Sequence, residues 1–295
     1  MRVLSTFNGM GCLWIALAEL GITPDVAFSS EIDKYATQIS DKNYPGVIQL
    51  GDVTGIGPEY TGRIDFLAGG TPCQNLSMAV INNLKHNQGL SGEKSKLFYE
   101  FLRLKQELQP KYFLLENVGG MTTVNKDMIS YALGVEPIRI NSNLFTAQDR
   151  DRLYWTNIPI PELPEDKGVV LMDIVEPPEL VPEKYWYDVP FTYNGDEAKV
   201  QATLHINGHD ILKRVYNLNG KCGTLTKVSG GSQQKKVFQD GRCRKLMPIE
   251  YERLQNVPDG YTSGVSDGQR YNMLGNGWTV DVIKHILSGM LVYVK

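Results

Sequence analysis

Two periods of apolar and polar residues alternate over the first 120 positions. Val3-Leu4-Ser5-Thr6-Phe7 is a short apolar run that predicts a strand ending in a glycine-containing turn. Leu13 to Leu20 then carries a helical pattern that Gly21 closes as a C-cap. Val26-Ala27-Phe28 predicts a second strand ending at Glu31, with a polar helix after it through Lys42. Val47 to Leu50 and Ile64 to Ala68 predict two more strands. Leu97 to Leu108 places Leu97, Phe98, Phe101, Leu102 and Leu108 at helical spacing until Pro110 stops it, and Tyr112 to Leu115 is a buried strand ending at Glu116. This alternation predicts an α/β fold with an open, mostly parallel sheet and helices on both faces. Ligands of such sheets sit beyond the carboxyl ends of the strands, so the residues after each strand are the candidates for chemistry.

The pattern breaks near Pro159. Prolines at 159, 161, 164, 177, 178, 182 and 190 interrupt any long element, and the chain to about Asp240 is rich in Asn, Gly, Gln and Lys. We read a smaller, irregular, β-rich lobe there. Regular pattern returns with Pro248 to Gln255 and a closing helix, Thr279 to Leu287. The expected organisation is a catalytic and cofactor-binding domain over 1–160, a lobe over 161–241, and a segment 242–295 that returns to complete the first domain.

A chain of 295 residues can bury one sizeable core beside a small lobe, and 42% hydrophobic with 21% charged residues is ordinary for a globular protein. No apolar run has bilayer-spanning length and the first residues lack a signal-peptide layout, so a cytoplasmic protein without membrane contact is expected. Cys12, Cys73, Cys222 and Cys243 are too scattered for a disulfide framework and form no Cys-x-x-Cys pair. His205 and His209 are four apart, but Ile206-Asn207-Gly208 between them is poor helix material, and no metal site is expected. Net charge is −3, yet residues 159–198 hold ten acids and two bases (−8) and residues 199–253 eleven bases and four acids (+7). The second stretch is a candidate phosphate-facing surface, although a solvated face fits it equally well.

Four constellations carry candidate chemistry. Phe7-Asn8-Gly9-Met10-Gly11 follows the first strand, with Glu31 twenty residues beyond Gly11. Glycines permit a tight turn and close backbone approach, and a carboxylate after strand two can accept ribose hydroxyls. Gly51-Asp52-Val53 adds an acid for an adenine amino group. Gly69-Gly70-Thr71-Pro72-Cys73-Gln74-Asn75-Leu76-Ser77 puts a thiol on a strand-end loop, where it is either a nucleophile or a small buried hydrophobe. A free thiol has a pKa of about 8.5, so a nucleophile needs help to ionise. Glu116-Asn117-Val118 sets a carboxyl at the mouth of an apolar strand, where its pKa would rise and make it a proton donor. Gln148-Asp149-Arg150-Asp151-Arg152 is an extended segment with Gln148, Arg150 and Arg152 on one face. Taken singly, each also fits a plain turn, cap or ion-paired surface.

In this order the pieces resemble the cytosine-5 DNA methyltransferase family. The resemblance continues through Arg244-Lys245-Leu246-Met247-Pro248-Ile249-Glu250-Tyr251-Glu252-Arg253-Leu254-Gln255 and Pro258-Asp259-Gly260-Tyr261, and ends at Gly275-Asn276-Gly277-Trp278-Thr279-Val280. The small size resembles bacterial or viral members. The Asn75-Leu76-Ser77 context and Arg150 to Trp155 are also similar to the eukaryotic de novo branch. The resemblance implies an S-adenosyl-L-methionine-dependent methyltransferase sheet with a target-recognition lobe, acting on duplex DNA as a monomer. It implies that Phe7, Gly9, Gly11, Glu31, Ile32, Asp52, Val53, Asn276 and Trp278 line the cofactor pocket. Cys73 would add to carbon 6 of a flipped cytosine, Glu116 contact nitrogen 3 and the amino group, Arg152 reach the base carbonyl, and Arg150 support the cysteine loop.

Gln74, Ser77, Lys85, Lys213, Arg214, Lys227, Gln233 and Arg253 are the expected DNA contacts, Arg253 also organising the lobe. Met78 to Lys96 is expected to close over the flipped base, one of Met78, Ala79, Val80 or Ile81 filling the gap. Three positions depart from the family pattern: Cys12 for a glycine, Met247 for a threonine, and the inserted indole of Trp278. An RNA cytosine-5 methyltransferase and a catalytically silent DNA-binding relative are the alternatives. A nicotinamide dehydrogenase, suggested by the glycine loop and Glu31, leaves the later motifs unexplained.

Overall fold

A computed structural model describes residues 1–72, 97–228, 230 and 232–291. In chain order these form β1 (Arg2–Thr6), α1 (Cys12–Glu19), β2 (Val26–Ser30), α2 (Lys34–Asn43), β3 (Ile48–Gln49), α3 (Pro58–Thr61), β4 (Phe66–Gly70), α4 (Leu97–Leu108), β5 (Tyr112–Val118), α5 (Thr123–Leu133), β6 (Ile138–Asn141), β7 (Gln148–Asp149) and β8 (Asp151–Thr156). There follow β9 (Phe191–Tyr193), β10 (Val200–Leu204), α6 (Asp210–Lys213), β11 (Arg214–Tyr216), β12 (Cys222–Gly223), β13 (Lys236–Gln239), β14 (Arg242–Lys245), α7 (Pro248–Leu254), α8 (Asp267–Asn276) and α9 (Val280–Leu291). Among the described residues no helix is long and apolar enough to cross a membrane.

The chain divides into two compact units, Met1–Asn141 with Asp151–Glu162 and Val282–Lys295, and Ser142–Arg150 with Leu163–Asp281. Composition places the boundaries elsewhere: residues 142–150 and 242–281 group with the second unit, because their packing partners lie there.

In the first unit, the described strands form a sheet in the order β3-β2-β1-β4-β5-β8-β6. Strands β3 to β5 of that order run parallel, β8 is antiparallel to β5, and β6 is antiparallel to β8. The chain winds outward from β1 to β3 and returns to β4 on the other side of β1. The loops after β1 and β4 therefore leave the sheet at its switch point, where a crevice opens at the carboxyl edge. Leu4, Phe28, Leu67, Phe101, Leu115 and Trp155 fill the core around this sheet. Gly69 is fixed by packing: a Cβ there would stand 2.3 Å from Thr6 Oγ1 and 3.1 Å from the Phe101 ring.

Strand β5 is longer than its apolar run. It continues through Glu116 and Asn117 because the ladder to β8 extends to the pair Val118–Arg152. Glu116 accordingly sits inside the sheet, in register with Gly70 on one side and Tyr154 on the other.

The second unit holds a described sheet in the order β14-β13-β11-β10-β9, antiparallel except for the β11–β13 pair. Ala202, Leu204, Val215 and Cys243 form its small core. A separate two-stranded parallel ladder joins β7 to β12. The proline-rich stretch folds as short 3-10 turns at Leu171–Asp173, Pro178–Leu180 and Glu183–Tyr185. Met247 packs with Val181 and Tyr185. Glu250 accepts the Met247 N–H at 2.6 Å, one half of a capping box; a threonine hydroxyl would supply the other half by accepting a first-turn N–H, which methionine cannot do.

Candidate active site

The loop after β1 takes the conformation its glycines allow. Phe7, Gly9 and Gly11 have φ of 53°, 55° and 92°, all left-handed, and Gly11 leads directly into α1. Cys12, the departure from glycine, is the first residue of that helix and is buried. Glu31 lies just beyond β2. Its Oε2 accepts the Gly9 N–H at 2.8 Å, and its Oε1 accepts those of Ile32 and Asp33 at 2.8 and 2.9 Å. The carboxylate thus brackets the glycine loop, and Oε2 keeps a lone pair for a further donor. Ile32 beside it is 78% exposed, an apolar surface with nothing described over it. Beyond β3, Asp52 Oδ1 accepts both the N–H and hydroxyl of Thr54 at 2.9 Å, and these bonds hold the carboxyl below the usual range. Val53 is different: its side chain belongs to the core, so only Asp52 of this pair faces outward. Asn8 Oδ1 is buried with no partner among the described residues.

On the neighbouring strands β5 and β8, Glu116 and Arg152 meet. Arg152 Nε lies 2.7 Å from Glu116 Oε1, and the two side chains are 14% and 11% exposed. Sequence suggests a lone acid at an apolar strand mouth; the structure instead shows a carboxylate–guanidinium pair. Arg152 Nη1 also donates to the Asp151 carbonyl at 2.8 Å, and the same oxygen accepts the Gly119 N–H at 3.1 Å. The Asp151 carboxylate is gripped by Arg139 from Nε (2.8 Å) and Nη2, and lies where a Cβ on Gly119 would stand 2.2 Å from Oδ2. Asn117 reaches sideways instead. Its buried amide donates to Thr71 Oγ1 at 3.0 Å and to the Thr71 carbonyl at 3.3 Å. Thr71 stands two residues ahead of Cys73 in sequence, so Asn117 ties the Glu116 strand to the start of the cysteine segment. Cys73, Gln74, Ser77, Lys85 and the whole of Met78 to Lys96 lie outside the described residues.

The extended segment expected at 148–152 breaks at Arg150. Arg152 joins the sheet of the first unit, while Gln148 and Arg150 belong to the second. Arg150 is 4% exposed, and its guanidinium donates to the carbonyls of Leu225, Gly275 and Gly277 at 3.0, 3.3 and 2.8 Å. Gln255 Nε2 binds the carbonyls of Leu274 and Gly277 at 2.7 and 3.1 Å, and its Oε1 accepts Thr279 Oγ1 at 2.7 Å. Gln148 Nε2 joins the same oxygen at 3.2 Å. Gly275 packs so closely on Thr226 that a Cβ would be 2.3 Å from its carbonyl oxygen. Arg150, Gln148 and Gln255 therefore clamp the backbone that carries exposed Asn276 and half-buried Trp278. Sequence reasoning assigned no such role to Gln255, although a glutamine ending a run of charged helix residues was the available signal.

The expected DNA contacts divide. Lys227 is exposed, and Lys213 and Gln233 are half-buried. Arg214 pairs with Asp210 at 2.6 Å. Arg253 binds Glu176, Asp259 (2.6 Å) and the Ile174 carbonyl (3.0 Å). Two carboxylates thus balance its charge within the second unit.

A family model for C-5 cytosine-specific DNA methylases matches residues 1–291. The type II methyltransferase M.DsaV of Dactylococcopsis salina is 26% identical over 321 residues, covering 100% of this chain and 87% of that protein. Two solved structures are similar in fold. A DNA modification methyltransferase encoded within an E. coli prophage aligns with a TM-score of 0.72 at 20% identity, over 99% of each chain. The methyltransferase EhMeth of Entamoeba histolytica aligns with a TM-score of 0.73 at 17% identity, over 100% of this chain and 99% of that one.

Proposed function

We infer the course of the reaction from one premise: the chain belongs to the C-5 cytosine-specific DNA methylase family and is a DNA cytosine-5 methyltransferase. We propose that Cys73 is its covalent nucleophile. Carbon 5 of cytosine is a poor nucleophile. A Cys73 thiolate adding to carbon 6 moves the ring's π electrons onto carbon 5 and leaves charge to be balanced at nitrogen 3. Glu116 balances it by a proton or strong hydrogen bond at that atom. Arg152 exchanges its bond to Glu116 for the base carbonyl as the ring enters, which frees the carboxyl for nitrogen 3. After methyl transfer a base removes the carbon 5 proton, the ring double bond re-forms and the sulfur–carbon bond breaks. Carbon 6 is unreachable in a stacked duplex, so the base must be flipped out, at a few kcal/mol.

S-adenosyl-L-methionine, when bound, supplies the methyl group as a sulfonium electrophile. The residues present fit it. The left-handed glycine loop with its unpartnered Asn8 Oδ1, the spare lone pair of Glu31, the exposed Ile32 side chain and the outward Asp52 carboxylate all lie in the segments that follow the adjacent strands β1, β2 and β3. Glu31 and Asp52 would accept hydroxyl and amino donors, and Ile32 would cover a flat ring. Asn276 and Trp278 are proposed to take part from the clamped segment.

The observation that carries this reading is the enclosed Glu116–Arg152 pair at 2.7 Å, on the strand that Asn117 ties to Thr71. Its test is transfer of labelled methyl from S-adenosyl-L-methionine to unmethylated duplex DNA by wild type and Cys73→Ser. Label on cytosine with wild type alone is expected; equal label from both would remove Cys73 as nucleophile. Duplex carrying 5-fluorocytosine should trap a covalent complex, because fluorine blocks the elimination.

A further inference from the structure

Register sorts the residues around Arg152 onto two faces of the first sheet. Glu116 and Arg152 share one face, while Arg139 and Asp151 share the other. The main chain connects the two faces: the Asp151 carbonyl accepts Arg152 Nη1 at 2.8 Å and the Gly119 N–H at 3.1 Å. Among the described residues Arg152 thus has two anchors, that carbonyl and the Glu116 carboxylate.

Asp151 is the first residue of β8 and pairs with Asn141, the last residue of β6, so its carbonyl lies at the end of the ladder, where strands fray. Two features hold that end. Arg139 grips the carboxylate from Nε at 2.8 Å and from Nη2, a forked geometry that fixes orientation as well as distance. Gly119 makes room for it: a Cβ there would stand 2.2 Å from Asp151 Oδ2 and 2.9 Å from Oδ1. Gly119 has no left-handed φ, so its missing side chain serves the carboxylate rather than the turn. With Arg139 66% and Asp151 33% exposed, the ion pair adds little to stability. Its place behind the carbonyl that anchors Arg152 gives it another use.

We propose that Arg139 and Asp151 are positioning residues for Arg152. This rests on the reading in which Arg152 gives up Glu116 for the base carbonyl. Once that bond is exchanged, the Asp151 carbonyl is the anchor that remains, and the ion pair on the far face keeps it in place. The guanidinium turns about a fixed point onto the base, and the Glu116 carboxyl is released toward nitrogen 3 in the same movement. A loosened anchor leaves Arg152 more orientations to lose as the ring enters, which slows transfer without weakening the docking of the duplex.

The test is single-turnover transfer of labelled methyl by the full chain at saturating duplex, with duplex Kd over a salt series and melting temperature measured alongside. Arg139→Met and Asp151→Asn should each lower the rate about fivefold, the effect that a well-oriented exposed pair supports, with Kd and melting temperature near wild type. The double variant should be no slower than the slower single one, because both changes break one unit. Gly119→Ala keeps both charges but displaces the carboxylate, and should slow transfer by a similar factor. Wild-type rates in Arg139→Met and Asp151→Asn overturn the proposal, and so do losses that multiply in the double variant. A rate loss tracked by a lower melting temperature overturns it too, because the pair is then structural. A weaker Kd with a shallower salt slope in Arg139→Met alone has the same force, since Arg139 is then a phosphate contact. Arg152→Met separates the two readings and should be slower than wild type by about a hundredfold. If it matches wild type, the role given to Arg152 fails and this inference with it; if it is slow while Arg139→Met and Asp151→Asn are not, this inference alone fails.

Discussion

Glu116→Gln separates the electrostatic role of the carboxyl from its shape. In the resting protein the carboxylate lies 2.7 Å from the Arg152 guanidinium, with side chains 11% and 14% exposed. Unit charges at that distance attract by about 6 kcal/mol at an effective dielectric of about 20, much of it offset by desolvation. Truncating one partner of a fully enclosed pair costs about 3–5 kcal/mol; residual exposure here and the Arg152 bond to the Asp151 carbonyl reduce this to about 2 kcal/mol. At about 2–4 °C per kcal/mol, the melting temperature should fall by roughly 4–8 °C. Catalysis should suffer far more. Loss of a proton or charged hydrogen bond at nitrogen 3 removes a factor of about 100 to 10,000, or about 3–5 kcal/mol of barrier. The assay is single-turnover transfer of labelled methyl to unmethylated DNA, with duplex affinity measured alongside. Affinity should stay near wild type while the rate collapses, because the carboxyl acts on developing charge rather than on docking. A Glu116→Gln rate of the same order as wild type would refute the role given to this carboxyl. A fall explained entirely by lost affinity would refute it as well.

Three other perturbations test the frame around the site. Glu250→Ala strands Arg244 in a fully buried position; it should cost about 3–5 kcal/mol and lower the melting temperature by on the order of 10 °C, and a negligible shift would show that the pair is not structural. Gly275→Ala drives a Cβ to 2.3 Å from the Thr226 carbonyl, backbone against backbone, so the clamped segment must move. The cofactor KM should rise more than the duplex Kd, and equal effects on both would argue against Asn276 and Trp278 as cofactor contacts. Lys236 is lowered by burial to about 7, with its Nζ on the carbonyls of Ser232 and Gln234. Between pH 7 and about 10.5 the unfolded chain holds a proton there that the folded chain has released, so stability rises with pH over this window. Wild type should gain stability relative to Lys236→Met as pH rises through it, and a constant difference in urea unfolding would refute the shift.

The parallel half of the first sheet is legible because each strand is a continuous apolar run followed by glycines or acids, which is how strands covered on both faces read. Helix α5 and strand β6 are not. Ile129 and Leu133 of α5 enter the core, but Asn125 and Ser130 are buried with them while Val124, Met128 and Tyr131 are exposed, so the apolar stripe is broken by polar residues on the core face. The signal present was a cap pair, Thr122 accepting the Asn125 N–H at 3.3 Å and Gly134 ending the helix in a left-handed conformation. Glu116 and Arg152 are visible as residue types, but their mutual bond depends on an antiparallel ladder that no local pattern announces.

Charge along the chain shows most plainly why composition misleads. The acidic stretch 159–198 and the basic stretch 199–253 suggest two surfaces, one of them for phosphate. Within the second unit part of each stretch pairs with the other: Lys221 binds Asp166, Arg242 binds Glu183, and Arg253 binds Glu176. Lys199, Arg214 and Arg244 are matched by Asp149, Asp210 and Glu250. Alternating blocks of charge thus encode the internal ion pairs of an irregular lobe with a small apolar core, where pairing supplies specificity that burial cannot. Only cations left out of that pairing remain for an external anion. Among the described residues of the basic stretch, exposed Lys227 and half-buried Lys213 meet that condition.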